Sequence, residues 1–160
     1  MTMIDETARQ ALAATLGNET ILLVEDEEVV RLMLVEILKH QGYAVLEAGR
    51  GAAALTLAES AAQPVDLLVT DMTMPGMTGW DLAKTLRTAR PGLPVLFMSG
   101  HNDHETQSWG KMDPPVEHLF KPFSLEAFLY KARQMLDDHK KSAAERPLEQ
   151  TGAARPPVLP

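Results

Sequence analysis

Glu25, Asp26, Asp71, Ser99 and Lys121 each follow directly on a short apolar run, and all five carry side chains suited to the chemistry of charge and phosphate. Taken singly, each has a plain explanation: Asp26 as a helix cap, Asp71 as the start of a turn with Pro75 and Gly76, Ser99 as a turn residue, Lys121 as a solvated charge. Their coincidence at equivalent places gives them weight, because an open parallel α/β sheet gathers functional groups at the carboxyl ends of its strands. Three carboxylates brought together repel one another and raise at least one pKa unless a cation intervenes. The available donors are oxygens, so Mg²⁺, or Mn²⁺, suits them better than Zn²⁺. Lys121 adds a point charge able to meet a carboxylate or a phosphoryl oxygen. A carboxylate is also a competent nucleophile toward phosphorus, and Asp71 with a metal, Lys121 and Ser99 supplies each part that such a transfer needs.

The elements that must position these groups follow from the hydrophobic pattern. The runs Ile21-Leu22-Leu23-Val24, Tyr43-Ala44-Val45-Leu46, Asp66-Leu67-Leu68-Val69-Thr70, Pro94-Val95-Leu96-Phe97-Met98 and Val116-Glu117-His118-Leu119-Phe120 are mostly apolar without alternation, as in strands covered on both faces. Between them, Val29, Leu32, Met33, Glu36, Ile37 and Lys39 to His40 suit an amphipathic helix ending at Gly42. Ala52 to Ala62 and Gly79 to Thr88 supply two more helices, the latter opened by Thr78 with Asp81 in a capping box. A last helix begins after Ser124 and buries Leu125, Phe128, Leu129, Ala132 and Leu136. Strand-then-helix repetition predicts a doubly wound α/β fold with a five-stranded parallel sheet. From Gly100 to Pro115 the sequence is polar, so the fourth crossover helix is expected to be short or disordered.

The domain plan follows. Residues 1–18 read as an extension with a short helix, Ile4 to Leu16, frayed from the core; residues 19–139 form the domain; residues 140–160 read as a disordered, Pro-rich tail. A chain of 160 residues is expected to hold one domain without a separate output domain. The net charge of -7 argues against direct nucleic-acid binding, and the absence of cysteine excludes disulfides and thiolate chemistry. No apolar stretch is long enough for a membrane span and the start lacks a signal peptide, so the expected location is cytoplasmic, without membrane attachment.

Val24-Glu25-Asp26-Glu27, Asp71-Met72-Thr73-Met74-Pro75-Gly76-Met77-Thr78-Gly79, Phe97-Met98-Ser99-Gly100 and Phe120-Lys121-Pro122-Phe123-Ser124 resemble, in order, the signatures of CheY-like response-regulator receiver domains, stand-alone or attached to hybrid kinases. The likeness covers roughly Glu19 to Asp138 and implies the flavodoxin-like strand order 2-1-3-4-5. It further implies that Asp71 is phosphorylated and that Mg²⁺ is ligated by Asp26, Asp71 and the main-chain carbonyl of Thr73, with Glu25 acting through a water. Ser99 and Lys121 would hold phosphoryl oxygens, and the Lys121-Pro122 bond would be cis. Ser99 and residue 118 would form the switch, though His118 stands where relatives carry Tyr or Phe. The implied role is a phosphoacceptor of a two-component system or phosphorelay, not an enzyme acting on an outside substrate. It would be phosphorylated by a histidine kinase or histidine phosphotransfer protein, signal to an unnamed protein target, and exist as a monomer or weak dimer.

Two other classes compete. An aspartate-nucleophile phosphohydrolase of the haloacid dehalogenase kind needs an acid two residues after the nucleophile, where this chain has Thr73. An inert interaction module would not need the complete acid, hydroxyl and lysine set. Gly49-Arg50-Gly51 reads as a strand-to-helix turn, since no Walker motif follows. His40 reads as a helix C-terminal cation, while His101, His104 and His118 lack a metal-ligand spacing.

Overall fold

A computed structural model of the chain describes residues 6–100, 112 and 116–145. Its elements are α1 (Glu6–Ala13), β1 (Thr20–Val24), α2 (Glu28–His40), β2 (Ala44–Ala48), α3 (Gly51–Ser60), β3 (Leu67–Asp71), α4 (Gly79–Ala89), β4 (Val95–Ser99), β5 (Glu117–Phe120) and α5 (Leu125–Glu145). The five strands form one sheet in the order β2-β1-β3-β4-β5, every neighbouring pair parallel. The expected fold class and strand order are both present. The segment read as a weak fourth crossover helix lies, apart from Met112, outside the described residues.

β1, β3 and β4 are buried along their whole length, whereas the edge strands β2 and β5 are mixed. Alternate residues of the central strands enter two cores. Ile21, Leu23, Leu67, Val69, Leu96 and Met98 pack against Leu34, Val35 and Leu38 of α2 and Phe128, Leu129 and Ala132 of α5. Leu22, Val24, Leu68, Val95 and Phe97 pack on the other face with Ala54 of α3 and Leu82 and Ala83 of α4. β2, β3 and β4 end one or two residues later than the apolar runs predict, so Asp71 and Ser99 are the last residues of their strands.

The expectation for α2 needs correction. Its buried residues are Leu34, Val35 and Leu38, while Val29, Leu32 and Met33 are exposed. Apolar residues stand on more than one side of the helix, Val29, Leu32 and Met33 besides Leu34, Val35 and Leu38, so helical period alone does not decide which of them face the sheet. Its end is as predicted: Gly42 takes φ +94° and donates to the Lys39 carbonyl at 2.9 Å. At α4, the Thr78 hydroxyl accepts from the Asp81 amide at 3.1 Å and donates to the Asp81 carboxylate at 2.9 Å. Ser124 caps α5 by accepting from the Ala127 amide at 3.1 Å.

Both ends of the domain depart from the plan. α5 continues to Glu145, past the expected boundary at 139, and Lys140 reaches back to Glu19; the remainder of the predicted tail, 146–160, lies outside the described residues. α1 buries none of its residues, but the chain after it is anchored rather than frayed. Thr15 is buried, its hydroxyl donating to Gln41 Oε1 at 3.0 Å, and its carbonyl accepts from the Tyr43 hydroxyl at 2.7 Å. Gly17 donates to the Gln41 carbonyl at 2.9 Å, and Arg133 donates to the Leu16 carbonyl at 3.3 Å. Glu19, 6% exposed, receives Arg133 Nη2 at 2.7 Å and Nη1 at 3.0 Å. Gly17 is fitted to this clamp: a Cβ there would lie 2.3 Å from Tyr43 and 2.5 Å from both Arg133 and Glu19.

Candidate functional site

The carboxyl ends of β1, β3 and β5 converge on one acidic cluster. Carboxylate oxygens of Glu25, Asp26 and Asp71 all lie within 4.8 Å of one another, with Glu25 and Asp71 buried and Asp26 exposed. It is the one grouping of this kind among the described residues, and no histidine belongs to it. Lys121 enters from the loop after β5 and donates to Glu25 Oε2 at 2.9 Å and to Asp71 Oδ2 at 3.2 Å. Its backbone is fixed by donation from its amide to the Ser99 carbonyl at 2.7 Å, and the Lys121-Pro122 peptide is cis, as the resemblance implies. Glu25 also accepts from the Glu27 amide at 3.1 Å.

Burial pushes the carboxyls of Glu25 and Asp71 above their ordinary values, against the opposing pull of Lys121. Burial also works against the Lys121 ammonium, but its contacts with Glu25 and Asp71 prevail and hold its pKa up. Three acids thus face one ammonium ion. The excess negative charge and the all-oxygen donor set fit a hard divalent cation.

Ser99 stands at the end of β4, 1% exposed, and its hydroxyl has no hydrogen-bond partner among the described residues. The same holds for Nδ1 of His118. The pairing of Phe97 with His118 and of Ser99 with Phe120 sets these four residues side by side on β4 and β5. A row of rings runs from Trp80 to Phe97 (5.9 Å between centroids), on to His118 (5.5 Å) and to Phe120 (6.3 Å). Burial lowers the pKa of His118, with Glu117 opposing. Thr73 is exposed in the loop after β3. His40 ends α2 as expected, whereas His101 and His104 lie outside the described residues.

Arg31 escaped the sequence reading, and Gly79, read there as the start of a helix and the end of a signature, has a further part in the site. Arg31 of α2 donates from Nη1 to the Glu25 carbonyl at 2.9 Å; a cation flanked by Val29-Val30 and Leu32-Met33 was the available signal. Gly79 closes the β3–α4 connection, donating to the Met72 carbonyl at 2.9 Å, and a Cβ at that position would fall 2.1 Å from the Asp71 carbonyl oxygen and 3.0 Å from its carbon. The obstacle is backbone and cannot rotate away. Gly79→Ala is therefore expected to cost about 2 kcal/mol and to displace Asp71, lowering both the melting temperature and the rate of any reaction at that carboxylate. Wild-type behaviour of this variant in both assays would contradict the close packing.

The family model described as Response regulator receiver domain matches residues 21–133. The sensor kinase CckA of Brucella abortus is 37% identical over 121 residues, which are 76% of this chain and 13% of that protein. The sporulation initiation phosphotransferase F of Bacillus subtilis is 28% identical over 109 residues, 68% of this chain and 86% of the relative. The crystal structure of the receiver domain from the hybrid histidine kinase CckA superposes with a TM-score of 0.61 at 35% identity, covering 73% of this chain and 98% of that one. The chain spans about half the length of the transcriptional regulatory proteins it matches.

Proposed function

Because this chain belongs to the response regulator receiver family of two-component systems, we propose that Asp71 accepts a phosphoryl group from the phosphohistidine of a histidine kinase or a histidine phosphotransfer protein. Receivers of this family are signalling phosphoacceptor domains rather than enzymes acting on an outside substrate. The observation that carries the reading is the convergence of Glu25, Asp26 and Asp71 on one another with Lys121 between Glu25 and Asp71.

In the proposed reaction an Asp71 carboxylate oxygen forms a bond to phosphorus as the donor's nitrogen–phosphorus bond breaks. Asp26, Asp71 and the Thr73 carbonyl would hold Mg²⁺ or Mn²⁺, with Glu25 acting through a water. When bound, the ion supplies neutralisation of charge on the reacting oxygens. Lys121 meets one phosphoryl oxygen and the Ser99 hydroxyl another. That hydroxyl has no competing hydrogen bond to give up among the described residues. Its approach to the phosphoryl group would leave room beside β4 for His118, making Ser99 and His118 the switch that alters a protein-binding surface. Val29, Leu32 and Met33, exposed on the helix that begins two residues after Asp26, offer an arriving donor apolar contact. No helix of the described residues is long and apolar enough to cross a membrane. We place the protein in the cytoplasm as a monomer or weak dimer, without direct nucleic-acid binding.

A small-molecule phosphodonor tests the proposal. Intact-mass measurement should show one added phosphoryl group with Mg²⁺ and none with a chelator. Equal labelling in both would remove the metal from the reaction, and sustained turnover of a phosphate ester would favour the phosphohydrolase class instead.

A further inference from the structure

We propose that Arg31 is a positioning residue for the metal site, acting on Asp26 through the Glu25 peptide, with its guanidinium lying against Gly49; the inference rests on the phosphoacceptor reading above.

The argument starts from what fixes the turn between β1 and α2. Asp26 is exposed at its apex, and its orientation depends on the peptide that joins it to Glu25. Residue 25 is held on both sides of its Cα, through its own amide and through the carbonyl of that peptide. The Glu25 amide donates to the Ala48 carbonyl at 3.1 Å, tying β1 to β2. The Glu25 carbonyl accepts from Arg31 Nη1 at 2.9 Å. The guanidinium is itself braced by Glu47 at the end of β2, Nε to Oε2 being 3.5 Å, and the Arg31 side chain is only 18% exposed. A Cβ at residue 49 would sit 3.0 Å from Nη1 and 3.6 Å from Cζ, so a side chain there would push the guanidinium aside by a few tenths of an ångström. The strand-to-helix turn at Gly49-Arg50-Gly51 thereby has a use that binds no ligand.

The alternative is that Arg31 is only a charge near the acids, and it predicts the opposite sign. A cation beside a cation site weakens metal binding by repulsion, so its removal would tighten Mg²⁺. A positioning role predicts that removal weakens Mg²⁺, since partners that orient ligands are worth roughly 10- to 100-fold in affinity. Lysine retains the charge but not the fork that spans the Glu25 carbonyl and Glu47, and should therefore fail as methionine does.

The test is a Mg²⁺ titration of the full chain, with Arg31→Met, Arg31→Lys and Gly49→Ala, beside melting curves and amide exchange of residues 25–27 in the metal-free protein. The expected result is affinity roughly tenfold lower for both Arg31 variants, a smaller loss in the same direction for Gly49→Ala, and faster exchange at Glu27 without metal. Gly49→Ala should add nothing to Arg31→Met when the two are combined. Unchanged or tighter Mg²⁺ binding in Arg31→Met overturns the inference. Should that variant fail to fold, Gly49→Ala decides by the same sign. A wild type that binds no Mg²⁺ would sink the phosphoacceptor reading, and the metal-free exchange at Glu27 would then decide the role of Arg31 by itself.

Discussion

Asp71→Asn is expected to abolish covalent phosphoryl uptake while leaving the fold at least as stable as the wild type at neutral pH. An amide lacks the charged oxygen that attacks phosphorus, and the variant also removes one acid from the metal cluster, so the loss should be complete rather than partial. Stability should move the other way. Burial raises the pKa of Asp71, and a group whose folded pKa is raised resists ionisation, so its ionised form opposes folding above the ordinary carboxylate range. Asparagine carries no such charge. Lys121 retains Glu25 at 2.9 Å, so no buried ammonium is stranded. Intact mass after exposure to a phosphodonor and Mg²⁺, read beside a melting curve, separates the chemistry from the fold. Phosphorylation of the Asn variant at the wild-type level would remove Asp71 from the reaction.

The second large effect lies at the other end of the sheet. Arg133→Met should destabilise the protein by about 3 kcal/mol near neutral pH, because it takes the two-nitrogen partner from the nearly buried Glu19 carboxylate and leaves it only Lys140 and the Asn18 amide. Arg133 holds the Glu19 carboxyl well below its ordinary value of 4.5, Lys140 adds to this, and burial opposes both. A depressed folded pKa gives stability that is present above the unfolded value and lost as pH falls below it. The gap between wild type and variant should therefore be full at pH 7 and shrink below about 4.5 as Glu19 protonates in the unfolded chain. Glu19→Gln introduced into Arg133→Met should recover part of the loss, since a neutral amide costs less to bury than a charge. Denaturant titrations at several pH values decide the matter. A gap independent of pH would assign the loss to packing of the arginine against Tyr43, whose ring centroid lies 5.9 Å from its guanidinium carbon.

These two regions differ in how far they were legible beforehand. β1, β3 and β4 were legible because burial on both faces leaves unbroken apolar runs, a local signal. That Glu25, Asp26, Asp71 and Lys121 would meet was legible as well, since parallel order puts strand ends together wherever each strand sits. The face of α2 was not, because apolar residues stand on more than one side of that helix and tertiary attachment selects Leu34, Val35 and Leu38. Nor was the clamp. Glu19 and Arg133 are 114 positions apart, and nothing local to either marks the other. The extra turns of α5 to Glu145 belong to the same category, since Lys140 is held by the distant Glu19.

The ring row from Trp80 to Phe120 has a practical corollary. Trp80 heads the row, one of two tryptophans in the chain, and only Phe97 separates it from His118. Indole emission responds to the polarity and motion of its immediate surroundings, so the molecule carries its own fluorophore one ring away from the side chain proposed to turn. With Trp109 replaced by Phe, a single emitter would remain, and events on the fifth strand would be readable as light in an otherwise unlabelled protein.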